Sequence, residues 1–357
     1  RRIKEKFPES LYSIVIIICI GFILVSLLAG GVRILLVWVS TRIVFVTGRD
    51  LSEQVFTRTL YQPYSVHVNR SSSEIISGLT QKMSAATGVM SAVVSIIIAT
   101  LLFTAIMTTL FIINYMVALA SVFIFGSAYL FMAWLTRYRV ARNGKRIAVE
   151  QEKMVKITQE SLGGIRDILL DESQAVYCKE YFRSINILQR ADTENTFMNK
   201  APRYIMETIG LVLIATLVLL MNYQTGNVVI ALPLLGVLAL AAQRSLPLMQ
   251  QLYAGWTTML SSEAALIDVL TLLNQPLPEY LSLHVPERLV LRQSIRLNNI
   301  SFRYGGDTPW VIKDNNLKIP KGERVGIIGI TGSGKSTVVD LLMGLLEPTQ
   351  GKIIIDG

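Results

Sequence analysis

Long, nearly uninterrupted apolar runs dominate the first two thirds of the chain. Five runs stand out, at positions 11–46, 90–113, 116–135, 205–221 and 228–248. A helix needs about 20 apolar residues to cross the hydrocarbon core of a bilayer. The last four runs are close to that length, so the pattern predicts about five membrane helices, one for each run.

The first run is long enough to allow two interpretations. At 1.5 Å per residue it would form a helix about 54 Å long. It is either one helix that projects into water or two crossings that turn at Gly30 and Gly31. Two glycines make a poor hairpin, and glycine is common inside membrane helices. We therefore expect one helix that continues past the bilayer toward Tyr61.

Basic residues indicate which connections face the cytoplasm, because cytoplasmic loops of membrane proteins are rich in lysine and arginine. Segment 136–203 holds thirteen of them, whereas the connections at 114–115 and 222–227 hold none. We therefore expect a multi-pass protein of the cell membrane, with 136–203, 49–84 and the C-terminal part in the cytoplasm. Because each crossing changes the side of the membrane, this assignment puts the N-terminus outside. The basic start of the chain fits that side poorly, so we expect a further helix before Arg1.

The polar segment 137–200 also has a helical pattern. It lacks proline, and Val155, Leu162 and Leu169 recur two turns apart. The segment is either a solvated helix pair or the cytoplasmic extension of two membrane helices that turn within 163–173. We favour the extension. Its turn would present a short structural element to another part of the protein on the cytoplasmic side.

Composition and charge support a membrane protein. Apolar residues make up 52% of the chain and charged residues 17%, against about 25% charged in typical globular proteins. This excludes a disordered chain and argues against a fully soluble one. The net charge of +9 fits basic cytoplasmic loops, so we expect no nucleic-acid partner. Two cysteines, Cys19 and Cys178, are too few for a disulfide scaffold, and we expect them to be unpaired.

The character of the sequence changes after position 272. Pro276, Pro278 and Pro286 break the helical pattern, as in a linker. Short strand-like runs then follow between turn residues, at 295–304, 310–319, 324–328 and 352–355. The predicted domains are a membrane domain at 1–272, a linker at 273–292 and the first part of an α/β domain at 293–357.

The strongest local motif is the glycine-rich segment 329–337, which fits the P-loop pattern of Gly, four residues and Gly-Lys-Ser. Glycines let backbone N–H groups curl around phosphate oxygens, and the following helix adds its positive N-terminal end. Lys335 is expected to contact the β- and γ-phosphates of a nucleotide, and the Ser336 hydroxyl to ligate Mg²⁺. The nucleotide-binding residues predicted within the motif are Gly329, Thr331, Gly332, Ser333, Gly334, Lys335, Ser336 and Thr337.

The context of the motif agrees with a P-loop. Apolar residues at 325–328 predict a strand before it, the pattern at 338–343 predicts a helix after it, and Pro348 marks the stop. Tyr304, 25 residues before Gly329, offers an aromatic face for a base. Position alone leaves this role open against an ordinary tyrosine at a turn.

Four charged residues interrupt the apolar runs. Charges in membrane helices are costly and are often functional, but arginines also snorkel to the interface. We expect Arg42 to snorkel. Arg33 and Arg244 either do the same or face a cavity and attract an anionic head group, with Glu207 as a partner. Under the second alternative, these three residues are the candidates for substrate binding.

These observations predict an all-α polytopic membrane domain with long cytoplasmic extensions, followed by a partial α/β P-loop nucleotide-binding domain. This arrangement resembles an ABC transporter of the exporter type. The most specific stretches are 301–304, 328–337 and 340–357. The membrane part is most similar to bacterial lipid-linked oligosaccharide flippases, in the stretches 59–65, 69–74, 159–168 and 202–207.

This resemblance implies ATP-driven export or flipping of an amphipathic substrate, with ATP and Mg²⁺ as cofactors. It implies that Tyr304 stacks on adenine and that the turns near 61–67 and 163–172 are coupling helices. It also implies a partner, a second transporter half that is identical or different. The alternatives are a drug or peptide exporter of the same architecture and a membrane-anchored P-loop protein that transports nothing.

The chain also departs from the family pattern. The family has six membrane helices per chain, and its signature motif, catalytic glutamate and switch histidine follow the position that corresponds to Gly357. We therefore expect a chain truncated at both ends, without an identifiable catalytic residue and inactive alone in ATP hydrolysis.

Overall fold

The computed structural model describes residues 9–113, 115–225, 228–277 and 290–357. Within these residues a helical part precedes a small α/β part. The helices are α1 (Glu9–Leu60), α2 (Tyr64–Asn69), α3 (Ser72–Ser77), a π-helical turn (Gly78–Lys82), α4 (Met83–Ile113), α5 (Tyr115–Gly163), α6 (Ile165–Leu170), α7 (Gln174–Thr225), α8 (Val228–Ser261) and α9 (Glu263–Leu273). The α/β part contains β1 (Ser294–Phe302), β2 (Ile312–Pro320), α10 (Lys335–Leu342) and β3 (Gln350–Ile355).

Helix α1 is continuous over 52 residues, which corresponds to about 78 Å. It passes through Gly30 and Gly31 without a break, so the prediction of a single helix is confirmed. Its end at Leu60 lies next to Tyr61, where we expected it. The apolar residues of α1 between Ile14 and Val46 are almost all exposed, as expected for a surface that faces lipid or another membrane helix.

Two helical stretches in the described residues are long and apolar enough to cross a membrane, Ile14–Leu60 and Ser72–Ile112. A third is obtained if Gln243–Ser261 and Glu263–Leu273, which meet at a bend of 58°, are taken as one broken span. The three later runs, at 116–135, 205–221 and 228–248, include side chains outside the described part. The count of five crossings therefore stays a prediction.

Helices α5 and α7 form a long hairpin with α6 at its tip. They contain 49 and 52 residues, or about 74 and 78 Å, far more than a bilayer requires. This confirms the predicted extension and its turn at 163–173. Leu162 and Leu169 of the predicted apolar face are exposed, whereas the neighbouring Ile168 is buried, so the tip keeps an apolar surface.

Close packing joins α5 to the end of α8. A Cβ added at Gly144 would lie 2.7 Å from the carbonyl carbon of Ser261 and closer still to its oxygen. Further along the helices, Phe125, Tyr129, Met206 and Tyr253 form a buried cluster of α5, α7 and α8. Only glycine therefore fits at position 144, because a side chain there would overlap the backbone of α8.

A buried lysine ties three elements together near the start of the linker. Lys82, at the end of the π-helical turn, is only 4% exposed, and its Nζ lies 2.9 Å from Glu152 Oε2 and 2.7 Å from Asp268 Oδ2. Arg58 Nη1 also donates to the Gln275 carbonyl at 2.8 Å. Helix α9 and the residues after it are therefore held against α1, α4 and α5.

The α/β part has a three-stranded antiparallel sheet in the order β2-β1-β3. Strand β1 is central, and its register pairs Ile295 with both Ile319 and Ile355. The core of this part joins the sheet to α10 and consists of Leu297, Ile300, Phe302, Ile312, Leu341 and Leu346. Because Leu341 packs on β1 and β2, the sheet fixes the position of α10.

The strand predicted at 324–328 is wrong. These residues have no strand assignment, and within the described part of the chain no segment pairs with them. A strand is stabilised by hydrogen bonds to its neighbours, and apolar character alone does not supply them. Without such pairing Ile328 is 96% exposed. The other three predicted strands agree with β1, β2 and β3 to within two residues.

The predicted linker lies between the helical part and the sheet. Helix α9 ends at Leu273 and β1 begins at Ser294, on either side of that linker, part of which lies outside the described residues. The domain boundaries stay a prediction. Cys19 and Cys178 are both free and exposed, which confirms that they are unpaired.

We expect Asp356 to act as a pH-sensitive clamp on the start of β1. Its carboxylate accepts the N–H groups of Arg292 and Gln293 at 2.6 Å and that of Ser294 at 3.0 Å. The N–H groups of Gln293 and Arg292 hold the pKa of Asp356 below its ordinary 3.8. The clamp is therefore complete above about pH 4 and is lost as the pH falls through that lower pKa.

Amide exchange at residues 292–294, normalised to unstructured peptides, checks this expectation. Protection should be constant from neutral pH down to about pH 4, fall in more acidic solution, and be lost at all pH values in Asp356→Ala. Equal protection in Asp356→Ala and the wild type would contradict the clamp.

Candidate functional site

The glycine-rich loop has a backbone that only glycine adopts easily. Gly332 and Gly334 have φ values of +84° and +85°, in the left-handed region that is unfavourable for other residues. The loop turns between them, and the Ser333 N–H donates to the Ile330 carbonyl at 3.2 Å. At Gly329 an added Cβ would lie 2.6 Å from Ser333 Oγ. The Ser333 hydroxyl can rotate away from position 329, so the conformation of this loop requires glycine at 332 and 334.

Lys335 reaches back across the loop from the first position of α10. Its Nζ donates to the carbonyl oxygens of Gly329 at 2.9 Å and Ile330 at 2.7 Å. These two bonds hold the ammonium group within the turn of the loop. A positive charge thus lies beside the backbone N–H groups that begin the helix, an arrangement suited to an anion.

Helix α10 begins directly after the left-handed Gly334. The Val338 N–H donates to the Gly334 carbonyl at 3.0 Å, so the N–H groups of the preceding residues have no partner within the helix. Thr337 and Leu341 are buried and anchor the helix on the sheet. Thr331, Ser333 and Ser336 are exposed, and their hydroxyls are accessible from solvent.

Tyr304 lies beside this helix, two residues after the end of β1. Its hydroxyl is 3.1 Å from Thr337 Oγ1, and its ring contacts Phe302 edge-on with 5.0 Å between centroids. Phe302 belongs to the buried core, so the position of the Tyr304 ring is fixed from both ends. The same bond shows that the Thr337 hydroxyl is directed to Tyr304, whereas the sequence suggested a contact with phosphate.

The residues present fit the phosphates of a nucleotide. Lys335 supplies a fixed cation, the start of α10 supplies N–H donors, and the positive φ of Gly332 and Gly334 lets the backbone approach an anion closely. Among the described residues, no group of three or more His, Cys, Asp or Glu is placed to hold a metal ion. Ser336 is exposed, and its role as a ligand of Mg²⁺ stays a prediction.

The candidate substrate residues are distant in sequence from the glycine-rich loop. Arg33 on α1, Glu207 on α7 and Arg244 on α8 are all exposed. No salt bridge joins any of them to another residue within the described ranges, so the Glu207 pairing stays a prediction. Arg42 differs, because its guanidinium lies 5.2 Å from the centroid of the Trp38 ring. The Trp38 contact agrees with a role for Arg42 at the membrane interface.

Two features of the site could not be found from the sequence. The carbonyl contacts of Lys335 and the bond between Tyr304 and Thr337 both depend on where the loop places its side chains. The bond between Tyr304 and Thr337 was partly predictable. A tyrosine after β1 and a threonine in the first turn of α10 face each other once Leu341 packs on the sheet.

Family models and known proteins are consistent with these observations. A family model described as the ABC transporter transmembrane region matches residues 5–246, and one described as ABC transporter matches residues 312–357. An ATP-dependent lipid A-core flippase of Chromohalobacter salexigens is 26% identical over 311 residues, which cover 85% of this chain and 52% of the flippase. The chain thus spans about half the length of this relative.

Two further similarities concern part of the chain and its fold. A leukotoxin translocation ATP-binding protein of a Pasteurella haemolytica-like species is 41% identical over 108 residues, which cover 30% of this chain and 14% of that protein. The solved structure of a bacterial Atm1-family ABC exporter with ATP bound superposes with a TM-score of 0.68 at 18% identity, covering 88% of this chain and 55% of the exporter. At this identity the superposition establishes the fold.

Proposed function

Because the chain belongs to the ABC transporter family, we propose that its protein uses ATP hydrolysis to export or flip an amphipathic substrate across the inner membrane. The observation that carries the proposal is the fixed Lys335 within the glycine-rich loop, in the same chain as a bundle of membrane helices. The similarity to a lipid A-core flippase supports a lipid-like substrate.

We propose that the described P-loop holds the phosphates of ATP. Lys335 contacts the β- and γ-phosphates, the loop N–H groups surround the β-phosphate, and the Ser336 hydroxyl ligates Mg²⁺. When bound, Mg²⁺ neutralises charge on the phosphate oxygens. The Tyr304 ring, positioned by Thr337 and Phe302, supplies a flat surface for adenine.

The two short helices at the cytoplasmic turns are suited to transmit movement between domains. Helix α2 follows α1 after a turn, and α6 joins α5 to α7. Leu162, Ile165 and Leu170 at the tip of the hairpin are exposed, and an apolar surface of this kind needs a partner. We infer that α6 docks on a nucleotide-binding domain of the assembled transporter.

We propose that residues 1–272 form the membrane domain, 273–292 the linker, and 293–357 the first part of the nucleotide-binding domain. The buried Lys82 and its partners Glu152 and Asp268 hold α9, directly before the linker, against the helical bundle. Movement that reaches α9 would therefore be passed on to the helices that it contacts, α1, α4 and α5.

We expect Arg33 and Arg244 to attract an anionic head group. Because a hydrogen bond to a charged group contributes about 1.5–3 kcal/mol, Arg33→Gln or Arg244→Gln should reduce transport of an anionic amphipath roughly tenfold. Arg42→Gln, on the same helix as Arg33, is the matched control and should transport normally. Transport by reconstituted full-length protein measures the effect, and wild-type rates in both variants would contradict the assignment.

ATP turnover by the full-length protein in liposomes tests the proposed function. We expect turnover to rise when lipid-linked oligosaccharide is present in the membrane. Turnover that responds to no amphipathic lipid, drug or peptide would contradict transport and favour a membrane-anchored P-loop protein.

A further inference from the structure

Helix α7 contains a proline in its interior. Pro202 is fully buried and lies between the polar segment 137–200 and the apolar run 205–221, where the cytoplasmic extension of α7 is predicted to enter the membrane. Because proline has no N–H group, the carbonyl of Met198, four residues earlier, loses its partner within the helix. Long membrane helices tolerate a proline when neighbouring helices supply partners to the freed backbone groups.

A side chain of α8 supplies this partner. The hydroxyl of the buried Tyr253 donates to the Met198 carbonyl at 3.2 Å. The same hydroxyl lies 2.9 Å from Oγ1 of the buried Thr136 on α5, which can donate to it in turn. The Tyr253 hydroxyl therefore takes the place of the missing N–H at Pro202 and joins α7 to both α5 and α8.

The position of this hydroxyl is fixed by the packing of its ring. Tyr253 lies close to Tyr129 on α5 and to Trp256 on α8, with 5.9 and 6.0 Å between the ring centroids. The ring cannot turn away from α7 without disturbing these aromatic contacts, so the bond to Met198 has a defined geometry.

The two sides of Pro202 are held by contacts of different kinds. On the cytoplasmic side, Asn199 Nδ2 on α7 donates to Thr257 Oγ1 on α8 at 3.0 Å, next to the bond at Met198. On the membrane side, Met206 packs in the apolar cluster of α5, α7 and α8. Hydrogen bonds depend on direction and apolar contacts do not, so a change of angle at Pro202 would break the bonds first.

A proline together with a bond supplied by a neighbouring helix has the properties of a hinge with a latch. Helices bend preferentially at proline, because no hydrogen bond crosses the turn there. In the structure the Tyr253 bond is formed and α7 is continuous from Gln174 to Thr225. Loss of that bond would free the cytoplasmic half of α7, which carries α6 at its tip, to change its angle to the membrane half.

We propose that Pro202 is a hinge of α7 and that Tyr253 is the latch that holds the hinge in the state of this structure. Tyr253 is thus a positioning residue, which acts through the Met198 carbonyl. The use of the hinge in transport rests on the proposed function, since the latch opens and closes as movement of α6 is passed along α7. The latch itself does not depend on that function.

Thermal unfolding of the full-length protein in detergent tests the latch. Tyr253→Phe removes only the hydroxyl and should lower the unfolding midpoint by about 2 °C, the effect of one hydrogen bond, since Thr136 keeps the Met132 carbonyl as a partner. Pro202→Ala gives the Met198 carbonyl an N–H partner, so Tyr253→Phe should lose most of its effect in that background.

A second tyrosine of the same cluster provides the control. The Tyr129 hydroxyl is buried and has no hydrogen-bond partner among the described residues, so Tyr129→Phe should not lower the midpoint. An equal fall of the midpoint by Tyr253→Phe in the wild-type and Pro202→Ala backgrounds, or an equal fall in Tyr129→Phe and Tyr253→Phe, would overturn the latch.

The amount of lipid translocated per ATP hydrolysed tests the hinge. With a fluorescent lipid-linked sugar in proteoliposomes, Pro202→Ala should retain ATP turnover but lower this ratio at least about fivefold, the lower end of typical coupling between sites, because its α7 resists bending. A wild-type ratio in Pro202→Ala would overturn the hinge. If the wild type shows no ATP-dependent translocation, the proposed function and the use of the hinge both fail, whereas the unfolding experiment still decides the latch.

Discussion

Lys335→Ala is expected to abolish ATP turnover in the full-length protein and to weaken ATP binding at least about a hundredfold. The ammonium group is held within the loop by the Gly329 and Ile330 carbonyls, and under the proposed function it contacts the phosphates there. Two contacts to charged oxygens, each contributing about 1.5–3 kcal/mol, account for a loss of this size. Equilibrium binding of ATP and steady-state release of phosphate measure the two effects.

A second lysine provides the control for this substitution. Lys318 is exposed on β2, away from the loop, and Lys318→Ala removes the same charge from the same domain. It should bind and hydrolyse ATP normally, and both variants should insert into the membrane to the wild-type level. Near-normal turnover by Lys335→Ala would refute the assignment of the phosphate site.

Gly144→Ala is expected to have the largest effect on stability. The new Cβ would overlap the backbone carbonyl of Ser261, which cannot rotate away as a side chain does, so α5 and α8 must separate. Overpacking of this kind typically costs about 1–3 kcal/mol. We expect the midpoint of thermal unfolding in detergent to fall by several degrees, with a loss of properly folded protein during expression.

The matched control for Gly144 lies on the same helix. A Cβ added at Gly126 would have no atom within 4 Å, so Gly126→Ala should leave the unfolding midpoint unchanged or raise it slightly. If Gly144→Ala unfolds at the same temperature as Gly126→Ala, the close approach of α5 to Ser261 is incorrect.

Local sequence signals predicted the parts of the structure that depend on local physics. The length of the first apolar run was sufficient to predict α1 as one helix. The helical pattern and the absence of proline at 137–200 were sufficient to predict the long hairpin of α5 and α7. Such helices form all their backbone hydrogen bonds internally. The P-loop was predictable for a similar reason, since the left-handed conformations at Gly332 and Gly334 require glycine wherever the loop is placed.

Features that depend on distant partners were not predictable. Residues 324–328 have the composition of a strand, but no neighbour pairs with them in the described residues. Lys82 lies in an ordinary polar stretch, and only the fold brings Glu152 and Asp268 to it.

If nucleotide at the P-loop drives movement in the membrane helices, translocation of a lipid depends on ATP and on Lys335. Full-length protein in proteoliposomes should move a fluorescent lipid-linked sugar between leaflets with ATP, and should not do so without ATP or in Lys335→Ala. Equal translocation by the wild type and Lys335→Ala, or translocation independent of ATP, would contradict the account.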